Sequence, residues 1–468
     1  MNKEMTYEEL RNRAYEIIGI PLAEIDRTGR LATGKGAVGT VVEESWFGKD
    51  PNSLAEPDFE SLDIELKVTP YRVNKNNTIS SKERLVSNMI DYMEEHKNES
   101  FEESSFYQKS SNLLIMFYEY LNDVNKGSFN ISHVKFITLS EKMKSDNDFF
   151  FLLPKEDIEI MRQDWGIIVS KIKDGKAHEI SGSDTNYLEA CTKARDSSVR
   201  VDQPFSSEKA KPRAFSLKQS YMTFLLNNYV LGGNGYERLI RDVDELTATN
   251  FEDVITSRFK PYYGKTDVEL ANLFDISTKN KGFRNQIVSR IVGVEGNINN
   301  SQEFIKASII SKTVRVEEGG TIRESMSFPS IDYKEIVESE WEVSEFYGNV
   351  GRSRFMFSIF LNNGNDYVLT KVDFWNMPNS DLEEAKKVWD KTKNLISENK
   401  IIIGGKHGFS VTNFPKQSEN RVVHVRPHDK DSKEGRISLP DGRKTIKYCF
   451  WLNRHYIKDV INQILNKD

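Results

Sequence analysis

Three side chains near residue 60 have the types and spacing needed to hydrolyse a phosphodiester bond. Asp58 follows a proline, Glu65 lies seven positions later, and Lys67 comes two positions after that. Two carboxylates can hold a hard divalent cation through their oxygens, and a lysine beside them can orient an attacking water or stabilise developing negative charge. A Glu-x-Lys pair alone is more often a solvated strand surface, so the rest of the chain must decide between the two interpretations.

The element that must position this pair is a β-strand. Apolar and polar residues alternate from Leu62 to Val68, the period-two pattern of a half-buried strand, which places Glu65 and Lys67 on one face. Asp58 belongs to the connection before the strand and reaches the same cation if the chain doubles back there. The sequence therefore predicts a carboxylate and an ammonium group side by side, with a second carboxylate in the preceding loop.

The composition is that of a globular protein with more than one domain. Of its 468 residues, 38% are hydrophobic and 29% are charged, and the formal net charge of −6 means that any affinity for nucleic acid must come from local basic patches. The charged N-terminus lacks the apolar core of a signal peptide, and no run approaches the ~18 apolar residues of a membrane span, which predicts a cytoplasmic protein. Cys191 and Cys449 alone predict neither a disulfide framework nor a zinc site.

A glycine-rich stretch precedes the predicted strand. Gly29, Gly34 and Lys35 nearly match a phosphate-binding P-loop, but Gly36 stands where the magnesium-binding hydroxyl should be. No buried strand precedes the stretch either. Both departures argue against a nucleotide site.

Helical spacing of apolar residues predicts an amphipathic helix from Val38 to Trp46 and a longer one from Asp157 to Ile172. Glu43 and Glu44 lie on the first of these, and either could add a third carboxylate to the site. Further helical or mixed apolar segments are predicted at Lys82–Asn98, Asn112–Asn122 and Tyr221–Leu231.

Two segments are locally basic. From Lys193 to Lys218 there are seven basic residues and three acidic ones, and from Arg421 to Lys447 there are eight and four. Clustered lysine and arginine are typical of nucleic-acid contact, so both segments are candidates for DNA binding. His424 and His428 have the spacing of helical metal ligands, but Pro427 breaks such a helix, and we interpret them as DNA contacts.

The second half of the sequence repeats the first. An offset of 245 residues aligns Gly19 with Gly264, and an offset of 235 aligns Phe215 with Phe450. The residues with chemical roles then align as follows: Lys67 with Lys312, Glu65 with Ile310, Asp58 with Glu303, and Lys193 with His428. The second copy keeps the scaffold and a basic segment but loses the acids, which predicts one half that binds and cuts and another that only binds.

Ordered motifs along the first half resemble a known family. They are Lys35-Gly36-x-Val38-Gly39, Trp46-x-Gly48, Asp58 with Glu65-Leu66-Lys67, Phe101-Glu102-x-Ser104 with Lys109, Asp164-Trp165, Thr192-Lys193-Ala194 and Phe215-x-Leu217-Lys218. This half resembles MutH, the methyl-directed nicking endonuclease of mismatch repair. The whole chain resembles the Sau-type, GATC-cutting type II restriction endonucleases built from two MutH-like halves.

The resemblance implies a mixed α/β protein of two tandem restriction-endonuclease-like domains, each with a mixed central sheet flanked by helices. Residues 1–231 would be the catalytic domain, 232–251 a linker, and 252–468 a C-terminal DNA-binding effector domain without the catalytic acids.

The resemblance also implies roles at the centre. Asp58 and Glu65 would bind Mg²⁺, Lys67 would orient and help deprotonate the attacking water, and Lys109 would be an auxiliary catalytic lysine. DNA contacts are implied or predicted at Lys35, Gly36, Lys193, Arg195, Arg213, Ser216, Lys218, Arg426 and His428.

One position in the motif stays open. The family has a glutamate on the helix after the glycine turn, and counting forward from Gly39 gives Glu43. Counting back from Trp46 gives Glu44, because this chain has one extra residue there.

The implied function is Mg²⁺-dependent hydrolysis of duplex DNA at GATC, leaving 5′-phosphate and 3′-hydroxyl ends. The second half would bind another copy of the site as effector, two molecules would pair on DNA, and a cognate methyltransferase would accompany the enzyme. Ser216 replaces an aromatic residue implicated in sensing methylated adenine, which predicts cleavage whether or not adenine is methylated. The alternatives are a repair nickase and a catalytically dead DNA-binding protein.

Overall fold

The structure is a computed structural model that describes residues 5–32, 36–50, 56–74, 76–122, 124–194, 198–233, 235–322, 325–404, 410–428 and 436–467. Of the predicted site residues, Lys35 and Arg195 lie outside these ranges. No helix within them is long and apolar enough to span a membrane.

The chain forms two compact units that exchange one short segment. The first unit contains the chain up to Phe251 together with Ser301–Ser308, and the second contains Glu252–Asn300 and Ile309–Asp468. The described part of 232–251, predicted as a linker, packs into the first unit, where Leu239, Ile240 and Leu246 are buried. These apolar side chains give the segment a core to join.

Within the described ranges, the first unit contains ten strands and nine α-helices up to residue 251, where a further helix begins at its border with the second unit. The strands are β1 (Glu65–Val73), β2 (Ile79–Ser81), β3 (Leu85–Met89), β4 (Asn112–Glu119), β5 (Ile131–Thr138), β6 (Phe151–Leu152), β7 (Leu188–Thr192), β8 (Val201–Gln203), β9 (Ser206–Ala210) and β10 (Arg213–Leu217). The helices are α1 (Tyr7–Glu16), α2 (Leu22–Ile25), α3 (Ala37–Val41), α4 (Tyr92–Glu95), α5 (Ser105–Ser110), α6 (Glu141–Asp146), α7 (Lys155–Lys173), α8 (Gln219–Leu225), α9 (Asp244–Ala248) and, starting at the border, α10 (Phe251–Ser257).

The second unit is built from the remaining elements. Its helices are α11 (Asp267–Leu273), α12 (Phe283–Ile291), α14 (Glu335–Glu338), α15 (Glu345–Tyr347), α16 (Asn379–Ser397) and α17 (Arg454–Leu465), whereas α13 (Gln302–Ala307) belongs to the first unit. Its strands are β11 (Ile309–Val316), β12 (Met326–Ser330), β13 (Arg354–Asn362), β14 (Tyr367–Trp375), β15 (Ile403–Gly404), β16 (Ser410–Val411), β17 (Val423–Pro427), β18 (Arg436–Ser438), β19 (Lys444–Ile446) and β20 (Tyr448–Leu452).

Each unit contains a mixed sheet and a separate antiparallel sheet. In the first unit the mixed sheet has the order β2-β1-β4-β5-β6, with β1 parallel to β4, and the second sheet has the order β3-β10-β7. In the second unit the corresponding orders are β11-β13-β14, with β11 parallel to β13, and β12-β20-β17. The mixed α/β class predicted from the sequence is confirmed.

Local features recur at matching points of the two halves. A residue in the left-handed region precedes the first strand of each mixed sheet, at Asp63 and at Ser308. A β-bulge interrupts β4 after Phe117 and β13 after Ile359. These landmarks align the halves without reference to sequence identity.

The helix predicted from Asp157 to Ile172 is present as α7, but two apolar segments form strands instead. Asn112–Asn122 contains β4, whose first six residues are buried, and Lys82–Asn98 contains β3 and the short α4. A continuous apolar run fits a buried strand and a buried helix equally well, and the pairing of β4 on both edges decides in favour of the strand.

Candidate functional site

Glu65 and Lys67 lie side by side at the start of β1. Lys67 Nζ is 2.7 Å from Glu65 Oε1, as expected for side chains two residues apart on one strand face. Glu65 is buried, and that burial raises the pKa of its carboxyl, while Lys67 acts in the opposite direction. The pair therefore forms a buried, charged site and is not a solvated strand surface.

Asp58 is brought to the pair by a tight reversal of the chain. A 3₁₀ turn at Glu60–Leu62 and a left-handed Asp63 fold the chain back, so that Asp58 Oδ2 accepts a 2.9 Å hydrogen bond from the Leu66 amide. The Asp58 amide in turn donates to Glu65 Oε2 at 3.2 Å. The connection does double back, and this reversal places both acids at the start of β1.

Lys109 approaches the same carboxylate from α5. Ser104 caps that helix by accepting from the Tyr107 amide, and Lys109 lies in the last turn. Its Nζ is 3.7 Å from Glu65 Oε1, and its side chain is largely buried. Two ammonium groups from different elements thus converge on one oxygen of Glu65.

The helix carrying the glutamates contains an extra residue in a π turn. α3 runs to Val41 and continues as π-helix over Val42–Trp46. A π turn is how an α-helix accommodates one inserted residue. Glu43 and Glu44 both lie within this π turn, so the register of the helix does not by itself choose between them.

Glu43 and Glu44 face different partners. Gly39 lies one helical turn before Glu43, and a Cβ built on it would contact Val68 of β1 at 4.0 Å, so this helix face packs on the strand. Burial, followed by the charges of the acids at the centre, raises the pKa of Glu43 to about 7. Glu44 instead lies 3.1 Å from the Arg30 guanidinium.

The residue types of the three acids, though not their spacing in this structure, suit a hard divalent cation. Asp58, Glu65 and Glu43 supply carboxylate oxygens from a loop, a strand and a helix, and their charges act on one another. Within the described ranges no group of three or more His, Cys, Asp or Glu side chains is close enough to hold a metal ion, and Lys67 contacts the Glu65 carboxylate directly.

The predicted DNA contacts divide into exposed and buried residues. Gly36, at the N-terminal end of α3 with φ of 90°, is exposed, as is Lys193 after β7. Arg426 and His428, at the end of β17 and just beyond it, are exposed in the second unit.

Three of the predicted contacts are buried. Arg213 donates to the carbonyls of Ala190 and Ile180, and Lys218 donates to the carbonyl of Thr185. Ser216 is fully buried in β10. These side chains bond to groups inside the unit, so the prediction that they contact DNA directly is corrected. A basic residue type alone could not distinguish the two roles.

Sequence reasoning missed an aromatic residue in the second unit. The Arg426 guanidinium lies 3.8 Å from the centre of the Trp451 ring, and the His428 ring lies 6.2 Å from it. Trp451 is only partly buried. In the internal repeat, Trp451 is equivalent to Ser216, because Trp451 pairs with His424 as Ser216 pairs with Glu189. That alignment is the sequence signal that could have identified Trp451.

In the described part of the second half, different residues stand at the positions that align with Glu65 and Asp58. Glu65 pairs with Leu113, which lies four residues before the last residue ahead of the β4 bulge. Ile310 pairs with Phe355, which lies at the same distance from the β13 bulge. Ile310 therefore occupies the position of Glu65.

Glu303, which aligns with Asp58, has a structural environment. It is buried in α13 and accepts hydrogen bonds from the amides of Leu239 at 2.9 Å and Ile240 at 3.1 Å. Both oxygens are thus engaged by backbone groups of the first unit.

Comparison with known proteins gives two matches. Residues 47–147 match the family described as DNA mismatch repair enzyme MutH. The chain is also similar to the type II restriction enzyme Sau3AI of Staphylococcus aureus, with 34% identity over 503 aligned positions that cover 99% of this chain and 100% of that enzyme.

Proposed function

The chain belongs to the MutH-like type II restriction endonucleases, site-specific deoxyribonucleases that generally use divalent metal ions, and on that premise we propose that it cleaves duplex DNA at GATC with Mg²⁺. The products would be 5′-phosphate and 3′-hydroxyl ends. The observation that carries this proposal is the convergence of Asp58, Glu65, Lys67 and Lys109 at the start of β1.

Each side chain of the centre has a distinct task in this proposal. Asp58, Glu65 and Glu43 would hold Mg²⁺, which would supply Lewis acidity at the phosphate and lower the pKa of a bound water. Lys67, whose Nζ is 2.7 Å from Glu65 Oε1, would donate a hydrogen bond to that water and so orient it for attack. Lys109, 3.7 Å from the same carboxylate, would offset the charge that develops on the phosphate oxygens.

DNA recognition would use the exposed residues of both units. Gly36 and Lys193, together with Lys35 and Arg195, would contact the duplex in the first unit. In the second unit, Arg426, His428 and Trp451 form a basic and aromatic surface suited to phosphate and base contacts. The second unit would bind another GATC site as effector, because Ile310 replaces the acid that cleavage requires.

The proposal extends to the setting of the enzyme. One centre per chain hydrolyses one strand at a time, so two molecules would pair on a palindromic site. A cognate DNA methyltransferase would protect the host genome. The enzyme would act in the cytoplasm of a bacterial cell.

We also propose that adenine methylation is tolerated. The Ser216 hydroxyl points at Glu189 Oε1, 3.3 Å away, and Arg84 binds the same oxygen at 2.9 Å, so a small polar residue fills this position. Without a large ring there, the first unit has less surface with which to detect the extra methyl group.

Plasmid digestion tests specificity and tolerance together. Purified full-length protein with Mg²⁺ is expected to cut unmethylated and fully adenine-methylated plasmid equally, with every mapped end at GATC. Ends at unrelated sequences would contradict the specificity, and complete protection of the methylated plasmid would contradict the tolerance. Digestion after adding a chelator serves as the control and is expected to stop.

A further inference from the structure

A lysine survives in the second unit at the position of the catalytic one. Lys312 of β11 pairs with Phe357 of β13, as Lys67 of β1 pairs with Ile115 of β4. Lys312 lies two residues after Ile310, as Lys67 lies two residues after Glu65. Within the described ranges, no hydrogen bond or ion pair reaches the ammonium group of Lys312. Its first-unit counterpart, in contrast, contacts a carboxylate at 2.7 Å.

The surroundings of Lys312 are apolar. Val314 and Val316 belong to the core of the second unit and Ile310 packs against it, so the alternation of the strand places Lys312 on the core side of β11. Burial lowers the pKa of Lys312, and no neighbouring charge counteracts that effect. The side chain remains partly exposed, so its amine can still meet a ligand.

Among the described residues, no group of acidic, histidine or cysteine side chains could hold a cation at this position. Ile310 replaces one acid, and Glu303 is engaged by two backbone amides. Lys109 lies five residues after Ser104, the serine that caps α5. Ser344 caps α15 in the same way, and Asn349 lies five residues after it, so an asparagine stands at the position of Lys109. One ammonium group without a carboxylate attracts an anion, whereas the first unit is built to hold a cation.

An unpaired, partly buried ammonium group weakens a fold, and an apolar residue would pack there at lower cost. We propose that Lys312 binds a phosphodiester group of duplex DNA, at the point of the second unit that corresponds to the site of cleavage in the first. The inference rests on the proposed DNA-cleaving function and adds a phosphate-binding residue to the effector half.

Salt-dependent binding of a duplex containing GATC provides the test. The full chain carrying Glu65→Gln serves as the reference, so that binding is measured without cleavage. Adding Lys312→Met is expected to weaken binding equally for all sequences and to reduce the slope of log affinity against log salt by about 1. Lys312→Arg, which keeps the charge, is expected to retain the slope.

Lys386→Met is the matched control, because it removes one positive charge from the same unit. Lys386 pairs with Asp390 along α16, away from β11 in sequence. This control is expected to leave the slope unchanged. The melting temperature of Lys312→Met is expected to stay constant or rise, and a fall would assign the lysine a structural role and overturn the inference.

The remaining outcomes separate the two levels of the proposal. A reference chain that does not bind DNA would overturn both the proposed function and the role of Lys312. A reference that binds, with the same slope after Lys312→Met, would overturn the role of Lys312 alone. If inorganic phosphate raised the melting temperature of the reference but not of Lys312→Met, while DNA binding stayed equal, the ligand would be a free phosphate and the assignment to DNA would fail.

Discussion

At the scale of single residues, the centre depends on partners that sequence spacing could only suggest. Alternation correctly placed Glu65 and Lys67 on one strand face, whereas the reversal that brings Asp58 to them could only be stated as a condition. Spacing could not choose between Glu43 and Glu44, because a π turn is a local change of helical register without a sequence signature.

Paired substitutions test the role that we propose for Glu43. Glu43→Gln should lower the cleavage rate by about a hundredfold or more, because it removes a charged oxygen ligand while preserving shape. Glu44→Gln is the matched control: it lies next in sequence, pairs with Arg30, and should cleave at close to the parent rate. Single-turnover cleavage of a one-site duplex measures both, and equal rates for the two variants would contradict the assignment.

Burial explains the residue-level errors. Arg213 and Lys218 were predicted as DNA contacts from a basic segment, yet both satisfy backbone carbonyls inside the first unit. Charge clustering reports composition and cannot show which way a side chain points from a strand. Trp451 was overlooked for the converse reason, since an aromatic residue in a strand is usually core.

At the scale of elements, α13 shows how the repeat was modified. The stretch that holds Asp58 in the first half corresponds to a helix in the second, and that helix packs into the first unit. Lys306 on α13 binds both oxygens of Asp157 on α7 at 2.7 and 2.9 Å, and Tyr221 donates to the same carboxylate at 3.0 Å. Long-range pairs of this kind have no signature in the local sequence.

Lys306→Met tests this anchor. The ion pair is almost fully buried, with side-chain exposures of 2% and 4%, so removing one partner leaves a buried carboxylate unpaired. The first unit should lose about 3–5 kcal/mol in free energy of unfolding. Lys97→Met, which breaks an exposed pair with Glu94, should cost less than about 0.5 kcal/mol. Denaturant unfolding measures both, and equal small losses would show that α13 is not anchored in this way.

At the scale of the whole molecule, the repeat was readable from sequence, but the division of the chain was not. Each half contains one mixed sheet whose first long strand is parallel to its neighbour, and a bulge interrupts that neighbour at a matching point. The exchange of Ser301–Ser308 breaks the simple order of one unit after the other. Contiguous domain boundaries are the natural assumption from sequence, and a helix that returns to the first unit violates it.

The proposed single cleavage centre per chain would have a kinetic consequence. If two molecules pair to cut both strands, double-strand cleavage of a supercoiled plasmid should rise more steeply than linearly with protein concentration, because the active species contains two chains. Gel analysis of nicked and linear products measures this order. Nicked circles as the final product at saturating protein would instead identify a nickase.

The central claim is that the centre on β1 performs the cleavage, and Glu65→Gln tests it most directly. Glu60→Gln in the same turn is the control, because Glu60 is exposed and lies outside the centre. With Mg²⁺ and a GATC duplex, Glu65→Gln should lose at least about a hundredfold in cleavage rate while duplex binding is retained, and Glu60→Gln should match the parent. Cleavage by Glu65→Gln at the parent rate would contradict the account.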